Sequence, residues 1–285
     1  MKQWRAKGGA AAWIGMAVLA VALAACQREP AEPAQADKAA PAMDNTPAAS
    51  APAAADTAGP LKDVIEHDPR YVVGISYPPG LERYPGLATA VRQYGDAARA
   101  ELMQAVEGLG NDKPTAPYEL SLAFQQVLDT PAVVAIAADG SRYTGGAHGE
   151  PLVARFVWLP GRNELLTADK LIPNAAGWGT VGQYVATQLH DAAAQRTVAD
   201  KLEPSDAEAL LKNADKSIAE GTAAEADNFA QFVPVLDGAG KIAALRFVFP
   251  PYQVGPYSDG TQTADVPAAV LRPLVAPEYT ELFAP

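Results

Sequence analysis

Between Gln27 and Pro60 the chain has no large apolar side chain except Met43, whereas from Leu61 onward such residues recur throughout. Ala, Pro, Asp and Glu dominate the first stretch. It cannot bury enough surface to offset the entropy of ordering it, and so reads as a disordered tether. As a coil it would span roughly 30 Å, and more where proline stiffens it. Folding is therefore confined to residues 61–285, a usual length for a single domain.

Upstream of the tether, Lys2, Arg5 and Lys7 precede an apolar run from Ala10 to Ala22, and small residues lead into Cys26, the one cysteine in the chain. This is the layout of a secretory signal peptide, and Leu23-Ala24-Ala25-Cys26 resembles the lipobox of bacterial lipoproteins. The resemblance implies diacylation of the Cys26 thiol, cleavage just before it, and acylation of the new amino terminus. Residues 1–25 are then the leader and 26–60 the tether. The alternative is a plain transmembrane anchor, for which the run is rather short. Acyl chains contribute about 0.8 kcal/mol per buried methylene and hold a protein firmly on a bilayer. An Asp after the cysteine commonly retains Gram-negative lipoproteins at the inner membrane, so Gln27 favours the outer membrane, facing the periplasm. With Cys26 lipidated, no disulfide can form within one chain, and stability must come from a hydrophobic core.

The chain has 33 acidic and 22 basic side chains and a formal charge of −11. Removing the leader takes away three bases and no acid. Nucleic-acid binding requires a basic footprint, so it is not expected. The acidity serves solubility, or it steers a basic protein partner.

The folded part alternates strand and helix patterns. Tyr71–Tyr77 reads as a first strand. Pro85 opens a helix in which Leu87, Val91, Tyr94, Ala98, Leu102 and Val106 recur at helical spacing as far as Gly108. Tyr118–Leu128 alternates like a half-buried strand, and Val133–Ala137 is expected to turn back at Asp139-Gly140, a hairpin signal. Leu152–Leu159 is a strand ended by Pro160-Gly161. A helix follows from Trp178 to about Arg196, and Ser205-Asp206-Ala207-Glu208 reads as the capped start of another. Phe229–Leu236 and Ile242–Phe249 form a second hairpin around Asp237–Gly240. Thr263–Val266 is a short strand, and Pro267–Leu274 a short helix. Because hairpins dominate, the fold class is α+β with a mostly antiparallel sheet and packed helices in one domain.

Two connections stand out as sites. Tyr143-Thr144-Gly145-Gly146-Ala147-His148-Gly149 is glycine-rich, which lets a backbone or ligand approach closely. Here His148 is a base, a ligand, a contact residue, or simply a satisfier of backbone groups in a wide turn or bulge. Phe249 to Gly260 has three prolines, two tyrosines and two glycines. Pro251, Tyr252, Pro256 and Tyr257 would make a stiff loop that loses little entropy on binding. Alternatively, Tyr252 and Tyr257 pin the loop to the core. The histidines His67, His148 and His190 form no HxxxH or HExxH pair and have no cysteine to join them, so no metal site and no cofactor are expected. No Gly-x-Ser-x-Gly elbow occurs.

Ile75-Ser76-Tyr77-Pro78, the Tyr143–Gly149 segment, Leu165–Leu171 and Pro251–Tyr257 occur in an order that resembles the RsiV/PdaC-like family of exported domains. The likeness runs from about Asp63 to Leu274. It implies an α+β extracytoplasmic domain without established catalysis of its own. In one branch the domain is the lysozyme receptor of an anti-sigma factor. In the other it accompanies a polysaccharide deacetylase acting on peptidoglycan. The sequence contains neither a transmembrane helix with a sigma-binding segment nor a deacetylase module. The expected function is thus a lipid-anchored envelope binding module for a lysozyme-like hydrolase or a peptidoglycan component. Candidate contacts are Tyr143, Gly145, Gly146, His148, Pro251, Tyr252, Pro256 and Tyr257. The rival is an envelope hydrolase using His148 as general base beside an Asp or Glu. A third reading is a structural envelope lipoprotein with protein partners alone.

Overall fold

The computed structural model of the protein describes residues 60–285. The leader, Cys26 and nearly all of the tether lie outside the described residues. Six strands, β1 (Val64–Asp68), β2 (Tyr71–Ser76), β3 (Tyr118–Asp129), β4 (Val134–Tyr143), β5 (Glu150–Leu159) and β6 (Glu164–Leu166), form one sheet in sequence order. Every pairing is antiparallel except β2 with β3, where helix α1 (Pro85–Gly108) makes the crossover that a parallel pair needs. The buried stripe of α1, with Leu87, Val91, Ala98, Leu102 and Val106, belongs to the same element order as the alternating Val73, Ile75, Leu120, Leu122 and Phe124 of the sheet. Periods of 3.6 and 2 thus supply the two faces of this first layer.

After a single turn, α2 (Ala168–Leu171), two long helices follow, α3 (Ala175–Ala199) and α4 (Pro204–Gly221). Then come β7 (Phe232–Leu236), β8 (Ile242–Phe249) and β9 (Gln262–Pro267), an antiparallel sheet, followed by a single helical turn, α5 (Ala268–Leu271), and a 3-10 helix over Pro277–Leu282. Trp178 of α3 stacks on Phe229 at 5.0 Å and meets Phe247 edge-on. Val157 and Leu159 of β5 share this second core, so the two sheets are joined by packing. Gln231, 5 % exposed, adds a polar joint. Its side-chain oxygen accepts from Arg155 N at 2.7 Å, and its carbonyl accepts from Val248 N at 2.8 Å. No helix of the described residues is long and apolar enough to cross a membrane.

The α+β class and its mostly antiparallel sheets match the expectation. Several local readings do not. Asp139-Gly140 is not a turn; it lies inside β4, opposite Ala123 and Leu122 of β3. A Cβ on Gly140 would collide with the Ser121 carbonyl, so this glycine serves close strand approach rather than chain reversal. The reversal between β3 and β4 is made at Thr130, whose hydroxyl donates to Val133 O at 2.8 Å and accepts from Val133 N at 3.0 Å. Ser205 does not cap α4. The helix begins one residue earlier at Pro204, which needs no N–H there, with Glu203 at the cap position. Asn174, not singled out beforehand, caps α3 by accepting from Ala176 N at 2.9 Å. The strand expected from Phe229 starts at Phe232, after a 3-10 turn over Ala226–Phe229. The helix expected over Pro267–Leu274 is the single turn α5.

Candidate functional site: two loops meeting in an aromatic cluster

The β4–β5 connection turns tightly. Gly145 and Gly146 have φ of +102° and +98°, a region open to glycine, and the Tyr143 hydroxyl donates to Gly146 O at 3.2 Å. This carries the exposed His148 beyond the end of the large sheet. The β8–β9 connection arrives from the other sheet, and its middle is anchored firmly. The Gln253 amide donates to Gly221 O at 3.0 Å and to Asn228 O at 2.8 Å, while Val254 is buried. A Cβ on Gly221 would strike the Gln253 carbonyl, so α4 ends in a residue that admits the loop. Asp259, at the far end, pairs with Arg196 of α3 at 3.0 Å.

With Gln253 and Val254 holding the loop, Tyr252 and Tyr257 are left outside, 57 % and 38 % exposed. They meet His148. The His148 ring stacks on Tyr257 at 4.1 Å and 11°, its Nε2 lies 2.9 Å from the Tyr252 hydroxyl, and the two tyrosine rings are 5.6 Å apart. Three of the residues singled out from sequence, from loops 104 positions apart, therefore form one cluster. Tyr143, Gly145 and Gly146 shape the histidine loop. Pro251 is half-buried beside Tyr252, and Pro256 is exposed before Tyr257. Gln253, Gly221, Asn228 and Arg196 were not anticipated, because their roles depend on contacts that no local pattern encodes.

Tyr252 has φ +75°, and Gln253 N donates to Pro250 O at 3.1 Å. These are the marks of a type II turn with Pro251 second and Tyr252 third, where glycine is the usual residue. A bulky side chain held in that region is strained. The contacts of His148 are phenols, and neither is the carboxylate on which the hydrolase reading depends. A histidine that does bond a carboxylate is His190 of α3, whose Nδ1 lies 2.6 Å from Asp215 of α4. That hydrogen bond raises the His190 pKa above its ordinary 6.5. The pair therefore favours the folded state at pH below about 6.5, and the gain fades as pH rises through the raised value. Both groups are exposed, so the gain is small. Asp215→Asn should return the His190 NMR titration to its ordinary midpoint; an unaltered midpoint would assign the shift to another cause.

The class defined by these features is an α+β domain displaying an aromatic surface built by loops from two sheets. Among solved structures it is similar to a DUF3298 family protein from Pseudomonas aeruginosa PAO1, with 16 % identity and a TM-score of 0.49 over 79 % of this chain and 95 % of that one. It is also similar to a member of the same family from Bacteroides fragilis, with 14 % identity and a TM-score of 0.43 over 77 % and 93 % of the two chains. No family model and no curated protein matches the sequence. Among the described residues, no group of three or more His, Cys, Asp or Glu is placed to hold a metal ion.

Proposed function

We propose that the protein is a binding module of the bacterial cell envelope, anchored by lipid on Cys26 and held away from the membrane by residues 26–60. It recognises a lysozyme-like hydrolase or a peptidoglycan component and performs no chemistry on it. The observation that supports this reading is the convergence of His148, Tyr252 and Tyr257 on one exposed surface. Tyrosine and histidine rings offer flat apolar faces with polar edges, a combination suited to recognition. The acidic chain would speed encounter with a basic partner. Calorimetry of purified residues 61–285 should detect binding of a basic lysozyme or of soluble peptidoglycan fragments, with Tyr252→Ala and Tyr257→Ala each weakening it. Absence of binding to both classes removes the proposal. For the anchor, cells fed labelled palmitate should incorporate it into the wild-type protein and not into Cys26→Ser. Equal labelling of the two would show that Cys26 is not the attachment point.

A further inference from the structure

The Tyr252 hydroxyl has one hydrogen and two lone pairs, and its bond to His148 Nε2 uses one of these. Which one it uses depends on the imidazole. A neutral ring carrying its proton on Nδ1 presents a lone pair at Nε2. Tyr252 then donates its hydrogen to the ring and has only lone pairs left for a ligand. An imidazolium ring carries hydrogen on Nε2. Tyr252 then accepts, and its own hydrogen is released toward solvent.

The exchange asks only that the Tyr252 O–H rotate, and Tyr257 already lies flat against the His148 ring. A cation over a tyrosine face is favourable, so the stack tolerates the charge. Neighbouring charged groups have partners of their own. Glu150, which opens β5, and Glu101 of α1 both bond Arg142, a largely buried side chain one residue before the end of β4. Asp259 pairs with Arg196, and Tyr143 donates to Gly146 O. His148 thus has phenols as its partners, and imidazole is a side chain whose charge is set by a proton it readily gains or loses.

We propose that His148 sets which hydrogen-bonding groups this surface takes. With a neutral ring, Tyr252 receives donor groups such as ammonium, amide N–H or hydroxyl. With a protonated ring, it receives acceptor groups, carboxylates first, since the released hydrogen and the new positive charge act together. The inference rests on the reading that the two loops form the ligand site, and it assigns the neutral ring the Nδ1–H tautomer.

Two measurements on the purified protein test it. Nitrogen-15 NMR of the His148 ring at pH 8 should show hydrogen on Nδ1 and none on Nε2. Phenylacetate and phenethylamine, which pair the same ring with opposite polarity, are then titrated against labelled Tyr252 at pH 8 and pH 5. Acidification should shift the ratio of their affinities toward phenylacetate by about fivefold, the worth of one hydrogen bond. His148→Phe should abolish the shift, and Tyr252→Phe should reduce it to what charge alone provides. Hydrogen on Nε2 at pH 8, a ratio that does not change, a shift untouched by Tyr252→Phe, or no response of Tyr252 to either probe overturns the proposal. The calorimetric test with lysozyme and peptidoglycan fragments is read independently of this result, so failure of the switch and failure of the binding function are distinguishable.

Discussion

Trp178→Ala is expected to destabilise the protein by about 3–5 kcal/mol, the usual cost of deleting a large buried aromatic side chain. Trp178 is 2 % exposed, lies flat on Phe229, and donates its indole N–H to Ile172 O at 2.9 Å. Truncation would open a cavity against two phenylalanines and leave a buried carbonyl without its partner, two penalties that add. Against a typical total of about 5–15 kcal/mol, that is at least about a fifth of the stability and, in a marginal domain, all of it. The site should feel the loss as well. Phe229 meets Phe249 edge-on, and Phe249 is the last residue before the tyrosine-bearing loop. Urea unfolding followed by circular dichroism should show a lower midpoint at constant slope. Trp178→Phe keeps a ring on Phe229 and should recover much of the loss. A midpoint shift below about 1 kcal/mol for Trp178→Ala would mean that this aromatic stack is not the centre of the second core.

Legibility in the sequence follows where each element's partners lie. Helix α1 matches its expected span because Pro85 and the recurring apolar residues are local signals. Strand β1 gives no such signal. Its inward-facing Glu66 is charged, and that position makes sense only beside Arg99 of α1, which donates to it at 2.7 and 3.0 Å. The Asp139-Gly140 pair shows the opposite failure, a strong local turn signal overridden by a neighbouring strand that needs the space. The site divides in the same way. Glycine and proline content marks both loops, since those residues restrict or free the backbone locally. Their meeting depends on the two sheets packing together through β5 and the Gln231 joint, a tertiary fact with no trace in either segment. The tyrosines illustrate the same limit. Sequence leaves open whether they face the core or solvent, and the choice is made by Gln253 and Val254, which hold the loop in their place.

Tyr252→Gly is expected to separate binding from stability. At φ +75° glycine relieves strain of order 1–3 kcal/mol. Against this gain stand the lost bond to His148, worth about 0.5–1.5 kcal/mol, and the greater freedom of glycine in the unfolded chain, about 0.4–1 kcal/mol. The terms nearly cancel at their midpoints, which places the variant within about 2 kcal/mol of wild type. Tyr252→Ala keeps the strained turn and loses the same hydrogen bond, so it should be the less stable of the two. For the ligand the order is different. A tyrosine at the centre of a binding surface contributes about 2 kcal/mol or more, so both variants should bind the lysozyme or peptidoglycan ligand about 30-fold more weakly. Denaturant midpoints and calorimetric dissociation constants measured on the same preparations would show this crossing. If Tyr252→Gly bound as tightly as wild type, the exposed ring would have no part in recognition. If it were instead strongly destabilised, the ring would be a structural pin, and the strain at Tyr252 would be offset by packing rather than by selection for a ligand contact.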